Sequence, residues 1–100
     1  MTSNPSAGRL PVLVNFSTNE SYTLSGASVT LGRAPDNTVV IPDDEYASAS
    51  HARIYWNNGW WVEDLYSSNG TFVNDEMISA PLMLKPGDVI KIGRTVFRIE

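Results

Sequence analysis

An arginine, two serines and an asparagine are the residues of this chain best suited to chemistry. They sit in three short strings: Gly32-Arg33, Ser48-Ala49-Ser50-His51 and Ser68-Asn69-Gly70-Thr71. Each string ends or begins a strand-like run. Arg33 offers a planar guanidinium fork that matches phosphate oxygens. The Ser48 hydroxyl, at a loop tip, can donate to the same oxygens. Asn69 can hold a partner's backbone through both its carbonyl and its NH₂. Together they form a phosphate-reading constellation and point to a phosphorylated partner. Arg33 stands out by position as well. Of the seven Lys and Arg residues, it alone lies between Leu10 and Ala52, among Asp36, Asp43, Asp44 and Glu45. Pairing with those acids is its alternative role.

The same residues have plainer readings. Asn-Gly is a leading turn dipeptide, so 68–71 can be a turn and nothing more. Ser48 and His51, three apart, invite a nucleophile-and-base reading and hence a small hydrolase. No acid is evidently placed to orient His51, and no Gly-x-Ser-x-Gly elbow exists. The expected role of His51 is structural: a buried ring at a loop base that bonds backbone groups. One His and no Cys leave no zinc-ligand set. The run Asp43-Asp44-Glu45 lacks alternating ligand spacing and reads as a solvated acidic loop. No catalytic residue, metal or cofactor is read from the sequence.

Bulk properties narrow the class. One hundred residues suffice for a single core, and a 42% hydrophobic share with three Trp can fill it. The absence of Cys excludes disulfides and fits a reducing compartment. A net charge of −4 with no basic stripe argues against a general nucleic-acid binder. No apolar run approaches a membrane span, and the start lacks a charged head followed by an apolar core. The chain is therefore read as a soluble, cytoplasmic, monomeric domain, whole or cut from a larger protein.

The elements that must position these residues are short and β-like. Residues 1–9 are small and polar and read as a flexible leader; 10–100 read as one domain. Strands are expected over 11–16, 21–24, 29–31, 38–41, 51–56, 60–65, 71–73, 82–84, 89–92 and 95–99, with Asn57-Asn58-Gly59 as a hairpin turn. Trp60 and Trp61 point to opposite faces of one strand, one into the core and one outward. No window holds a helical apolar period. Many short strands at near-regular spacing predict a β-sandwich, with loops over 32–37, 42–50 and 66–70 free to carry recognition residues.

In register, these strings resemble the forkhead-associated (FHA) domain over about residues 10–100. The markers run Gly32-Arg33, Ser48-x-x-His51, then Asp64-x-x-Ser67-Ser68-Asn69-Gly70-Thr71-Phe72-Val73-Asn74, and the late run Leu84 to Gly93 looks like the family's C-terminal strands. The resemblance implies a two-sheet sandwich of about eleven strands that binds phosphothreonine peptides through loops at one end. By position, Arg33 and Ser48 would hold the phosphate with Ser68 assisting, and Asn69 the peptide backbone. Gly32, His51 and Gly70 would be architectural. The implied partner is a phosphothreonine-containing protein or a Ser/Thr kinase; the alternative is a scaffold that binds without phosphate. The strings over 32–37 and 46–48 look most like actinobacterial Ser/Thr-kinase signalling members. Three positions depart from the pattern. Many members have Arg or Lys where Ala49 stands, Gly where Tyr66 stands, and Gly directly after the position of Asn74. The first bears on phosphate affinity, the others on which residues beyond the phosphothreonine are read.

Overall fold

Alternation of apolar and polar residues in the strand-like runs folds as two sheets with their apolar faces together. The computed structural model describes residues 10–26 and 28–100; the leader expected over 1–9 lies outside them. In chain order the strands are β1 Val12–Asn15, β2 Ser21–Thr23, β3 Ser28–Gly32, β4 Val39–Val40, β5 Ala52–Trp56, β6 Trp60–Asp64, β7 Thr71–Val73, β8 Glu76–Met77, β9 Leu82–Met83, β10 Val89–Ile92 and β11 Thr95–Ile99. One sheet has the order β2-β1-β11-β10-β7-β8 and the other β4-β3-β5-β6-β9. All pairings are antiparallel except β3 with β4. The described residues form an all-β sandwich of eleven strands.

Register aligns the buried residues across each sheet. Leu13 faces Ile99, Phe97 faces Ile90, and Ile90 faces Val73 in the first sheet. Val29 faces Ile54, and Ile54 faces Val62, in the second. These side chains are buried and form one core. Because strand periodicity is two, slipping any of these strands by one residue would turn its apolar set to water. Trp60 packs against the core from its edge, while Trp61, on the opposite face, donates its indole N–H to the Asn57 carbonyl at 2.9 Å.

One strand was not expected from the sequence. β8 is two exposed residues, Glu76 and Met77, too short and too polar to show a period. It exists because Asn74 and Asp75, both with positive φ (51° and 71°), make a two-residue turn of the primed type that returns the chain against β7.

The strand directions sort the connections between two ends. The ends of β1, β3 and β6 and the starts of β5, β7 and β11 lie together, so the connections over 33–38, 41–51, 65–70 and 93–94 share one end of the sandwich. At the other end Val12 and Glu100 exchange backbone hydrogen bonds of 3.0 and 2.8 Å. There too, the Asp88 carboxylate closes the 85–88 turn by accepting from Lys85 N (2.9 Å) and Asn74 Nδ2 (3.0 Å).

Candidate functional site

The connection after β3 begins with a close backbone approach. A Cβ on Gly32 would overlap the Ala49 carbonyl oxygen and lie 2.7 Å from Asn37 Nδ2, so only glycine lets the two loops meet. They are then stitched together. Arg33 N–H donates to Ser48 O (3.0 Å) and Ala34 N–H to Ala49 O (3.2 Å). The Asn37 amide donates to Ala34 O (2.8 Å) and Ala49 O (2.7 Å). Arg33 thus leaves the sheet beside Ser48 with its side chain exposed. Its guanidinium touches only the Glu45 carbonyl, at 3.3 Å, and forms no ion pair among the described residues. The expected alternative, pairing with the nearby acids, does not occur there.

Ser48 joins the second loop to the third. Its Oγ accepts the Ser68 N–H at 3.0 Å, which leaves the hydroxyl proton free to donate outward. Beneath it, the fully buried His51 ring ties both loops from below. Nδ1 accepts the Ser48 backbone N–H (3.0 Å), and Nε2–H donates to Gly70 O (2.8 Å). The Nε2–H tautomer follows, because Nδ1 is an acceptor. A nucleophile-and-base pair would instead join the imidazole to the serine hydroxyl. Here the ring binds backbone on both sides.

The loop over 65–70 is shaped by one carboxylate. Asp64 accepts from Ser67 N (3.0 Å), Ser67 Oγ and Thr71 Oγ1 (2.7 Å), and Ser67 Oγ in turn accepts Gly70 N–H (2.9 Å). Burial pushes the Asp64 carboxyl up, but the hydrogen bonds from Ser67 and Thr71 outweigh it and hold the group below the usual carboxylate range. Gly70 takes φ 89°, a conformation that suits glycine. Tyr66 sits at φ 57°, a left-handed conformation that favours glycine, with its side chain fully exposed. The loop presents Ser68 and Asn69, both exposed. Asn69 Nδ2 donates to Tyr46 O at 2.8 Å, which leaves Oδ1 and the second amide hydrogen to face outward.

All four residues read from the sequence as phosphopeptide-binding therefore stand at one end. Arg33, Ser48 and Ser68 are joined directly by hydrogen bonds, and Asn69 through Tyr46. Three supports were not foreseen. Asn37 braces the first two loops, and no local pattern announces it. Asp64 was part of a quoted motif without a role; its Asp-x-x-Ser spacing is a turn signal that could have shown it. Asp44 corrects the reading of a solvated acidic loop. Its carboxylate accepts from Arg94 N (2.8 Å), Thr95 Oγ1 (2.6 Å) and Tyr46 N (3.0 Å). Burial pushes that carboxyl up too, and these hydrogen bonds again prevail and lower it. Asp43 and Glu45 are exposed, as expected.

Comparison with known proteins agrees with this geometry. A family model described as FHA domain matches residues 29–93. The chain is 39% identical over 84 residues to the FHA domain-containing protein FhaB of Mycobacterium tuberculosis, covering 83% of this chain and 54% of that protein. It thus spans about half the length of that relative. Its fold matches Mycobacterium tuberculosis EmbR, solved in complex with a low-affinity phosphopeptide, with a TM-score of 0.86 at 31% identity, over 92% of this chain and 24% of that one. It also matches a structure from a study of phosphothreonine-dependent FHA domain interactions, with a TM-score of 0.84 at 29% identity, over 91% of this chain and 95% of that one. No helix among the described residues is long and apolar enough to cross a membrane. On its sequence, its eleven-stranded sandwich and the family model that covers most of its strands, the chain belongs to the FHA domain family.

Proposed function

We propose that this end of the sandwich binds a phosphothreonine peptide, making the chain an adaptor module in Ser/Thr-kinase signalling. The observation that carries the reading is Arg33, an exposed guanidinium with no carboxylate partner among the described residues, fixed by its backbone beside Ser48. Its fork takes the phosphate oxygens in charge-assisted hydrogen bonds. The Ser48 hydroxyl, already accepting from Ser68, donates to a second oxygen, and the Ser68 hydroxyl assists. Asn69 holds the peptide backbone with Oδ1 and its free amide hydrogen. Gly32, His51 and Gly70 build the loops without touching the ligand. The similar structures solved with a phosphopeptide, or described by phosphothreonine dependence, support this assignment.

The partner is a phosphothreonine-containing protein or a Ser/Thr kinase, neither nucleic acid nor membrane. The domain spans 10–100 after a leader over 1–9, acts as a cytoplasmic monomer and has no catalysis of its own. Calorimetric titration with phosphothreonine peptides and their unphosphorylated counterparts tests the reading. Arg33→Ala should cost roughly 2–4 kcal/mol of binding, more than tenfold, while the fold survives. Unchanged affinity in that variant would remove the proposal. A second reading is a scaffold that binds independently of phosphate. It is favoured by an apolar groove at the opposite end, between Leu10, Trp56, Trp60 and Pro86, where Trp56 is 56% exposed. Equal affinity for phosphorylated and unphosphorylated peptide would select it.

A further inference from the structure

Tyr46 is held at three points, and each serves the residue assigned to the peptide backbone. Its N–H donates to Asp44 Oδ1 at 3.0 Å. Its ring lies under the Arg94 guanidinium, whose Cζ is 4.1 Å from the ring centroid and whose Nη2 donates to the Tyr46 Oη at 3.0 Å. Its carbonyl accepts the Asn69 amide at 2.8 Å. Asp44 is itself pinned to the β10–β11 turn by Arg94 N–H and Thr95 Oγ1. A turn 48 residues away in sequence thus grips the loop that aims Asn69.

We infer that Arg94 is a positioning residue for peptide binding: by stacking on Tyr46 it fixes the carbonyl that orients the Asn69 amide. The inference rests on the phosphopeptide reading above, and it assigns Arg94 no contact with the ligand. An asparagine amide can present its oxygen and nitrogen either way round, and its side chain has free rotations to lose on binding. A single hydrogen bond to Tyr46 O selects the orientation in which Nδ2 points to the loop. Tyr46 is exposed and makes this bond from an irregular segment, so its place depends on its own anchors. Asp44 fixes the backbone before the carbonyl. Arg94 fixes the ring, which is the longest lever on the residue. A cation–π stack and a hydrogen bond at an exposed site each contribute modestly, enough to bias a side-chain orientation without holding up the fold.

The test is a double-mutant cycle between Arg94 and Asn69, read by phosphothreonine-peptide titration. Arg94→Gln should weaken binding by roughly three- to tenfold in the native background and by less than about twofold when Asn69 is already Ala. Arg94→Lys keeps the charge and can still sit over the Tyr46 ring but loses the planar fork, so its affinity should fall between native and Arg94→Gln. In the free protein, amide NMR of Arg94→Gln should show the Asn69 side-chain NH₂ resonances shifted, with the backbone amide resonances of buried Ile54 and Ile90 in place. An equal loss in both backgrounds would overturn the inference. So would an unmoved Asn69 amide. If the native protein binds no phosphopeptide, the functional reading fails instead, and the Asn69 resonances of the free variants still decide whether Arg94 orients that amide.

Discussion

Replacing His51 with Ala is the sharpest test of whether this residue is a brace or a reagent. The ring is 0% exposed, and it satisfies the Ser48 N–H at 3.0 Å and the Gly70 carbonyl at 2.8 Å. Truncation removes both partners at once. A buried backbone group left without its hydrogen bond costs about 1–3 kcal/mol. The lost ring packing and the space it leaves add roughly 1–2 kcal/mol. With two such groups the expected loss is therefore about 3–8 kcal/mol, against a total of about 5–15 kcal/mol for a small domain. At about 4–8 °C per kcal/mol for a chain of this size, the melting point should fall by roughly 12 °C or more. Urea unfolding followed by tryptophan fluorescence measures the change directly, and an unchanged m value shows that the end states are comparable. His51→Gln, which can still pair with one backbone group, should fall between. A loss below about 1 kcal/mol for His51→Ala would refute the reasoning, since a catalytic or idle histidine need not stabilise anything.

Three further outcomes follow from particular contacts. Asp75 occupies a left-handed position at φ 71° in the β7–β8 turn, so Asp75→Gly should stabilise the domain by about 0.5–1 kcal/mol, visible as a raised melting point. Ala49 is exposed beside Ser48, and one arginine under-compensates a phosphate of about −1.5 to −2 charges. Ala49→Arg should tighten phosphothreonine binding roughly three- to tenfold at low salt, with the gain shrinking as salt rises; no change would mean that this side chain points away from the phosphate. Asp44, Asp64 and Asp88 are each pushed up by burial but lowered more strongly by hydrogen bonds, so each lies below the usual carboxylate range in the folded chain. A depressed folded value contributes stability above the unfolded pKa and loses it as pH falls through the folded one. Stability from urea unfolding should therefore hold from neutral pH to about 4 and drop below it, with a shallower acid slope in Asp64→Asn.

The amino-acid sequence by itself settled the class of fold and the strings that bear on chemistry. Period-two alternation in the runs through Leu13, Ile54, Val62, Ile90 and Phe97 is a local property, and burial on one face of each strand is its direct consequence. The hairpin at Asn57-Asn58-Gly59 was legible for the same reason: turn chemistry acts between neighbours. So were Gly32-Arg33, Ser48, His51 and Ser68-Asn69 as candidates, because each pairs a distinctive side chain with the end of a strand. β8 was not legible, since two exposed residues carry no period and a primed turn of Asn74 and Asp75 lacks the usual glycine. Only the tertiary structure decided what holds the candidates in place. Asn37 reaching Ala49, His51 reaching Gly70, Asp44 reaching Thr95 and Arg94 reaching Tyr46 join residues from 12 to 51 positions apart. Such contacts depend on where whole strands lie in the two sheets. Spacing along the chain carries no information about them until the sheets have packed.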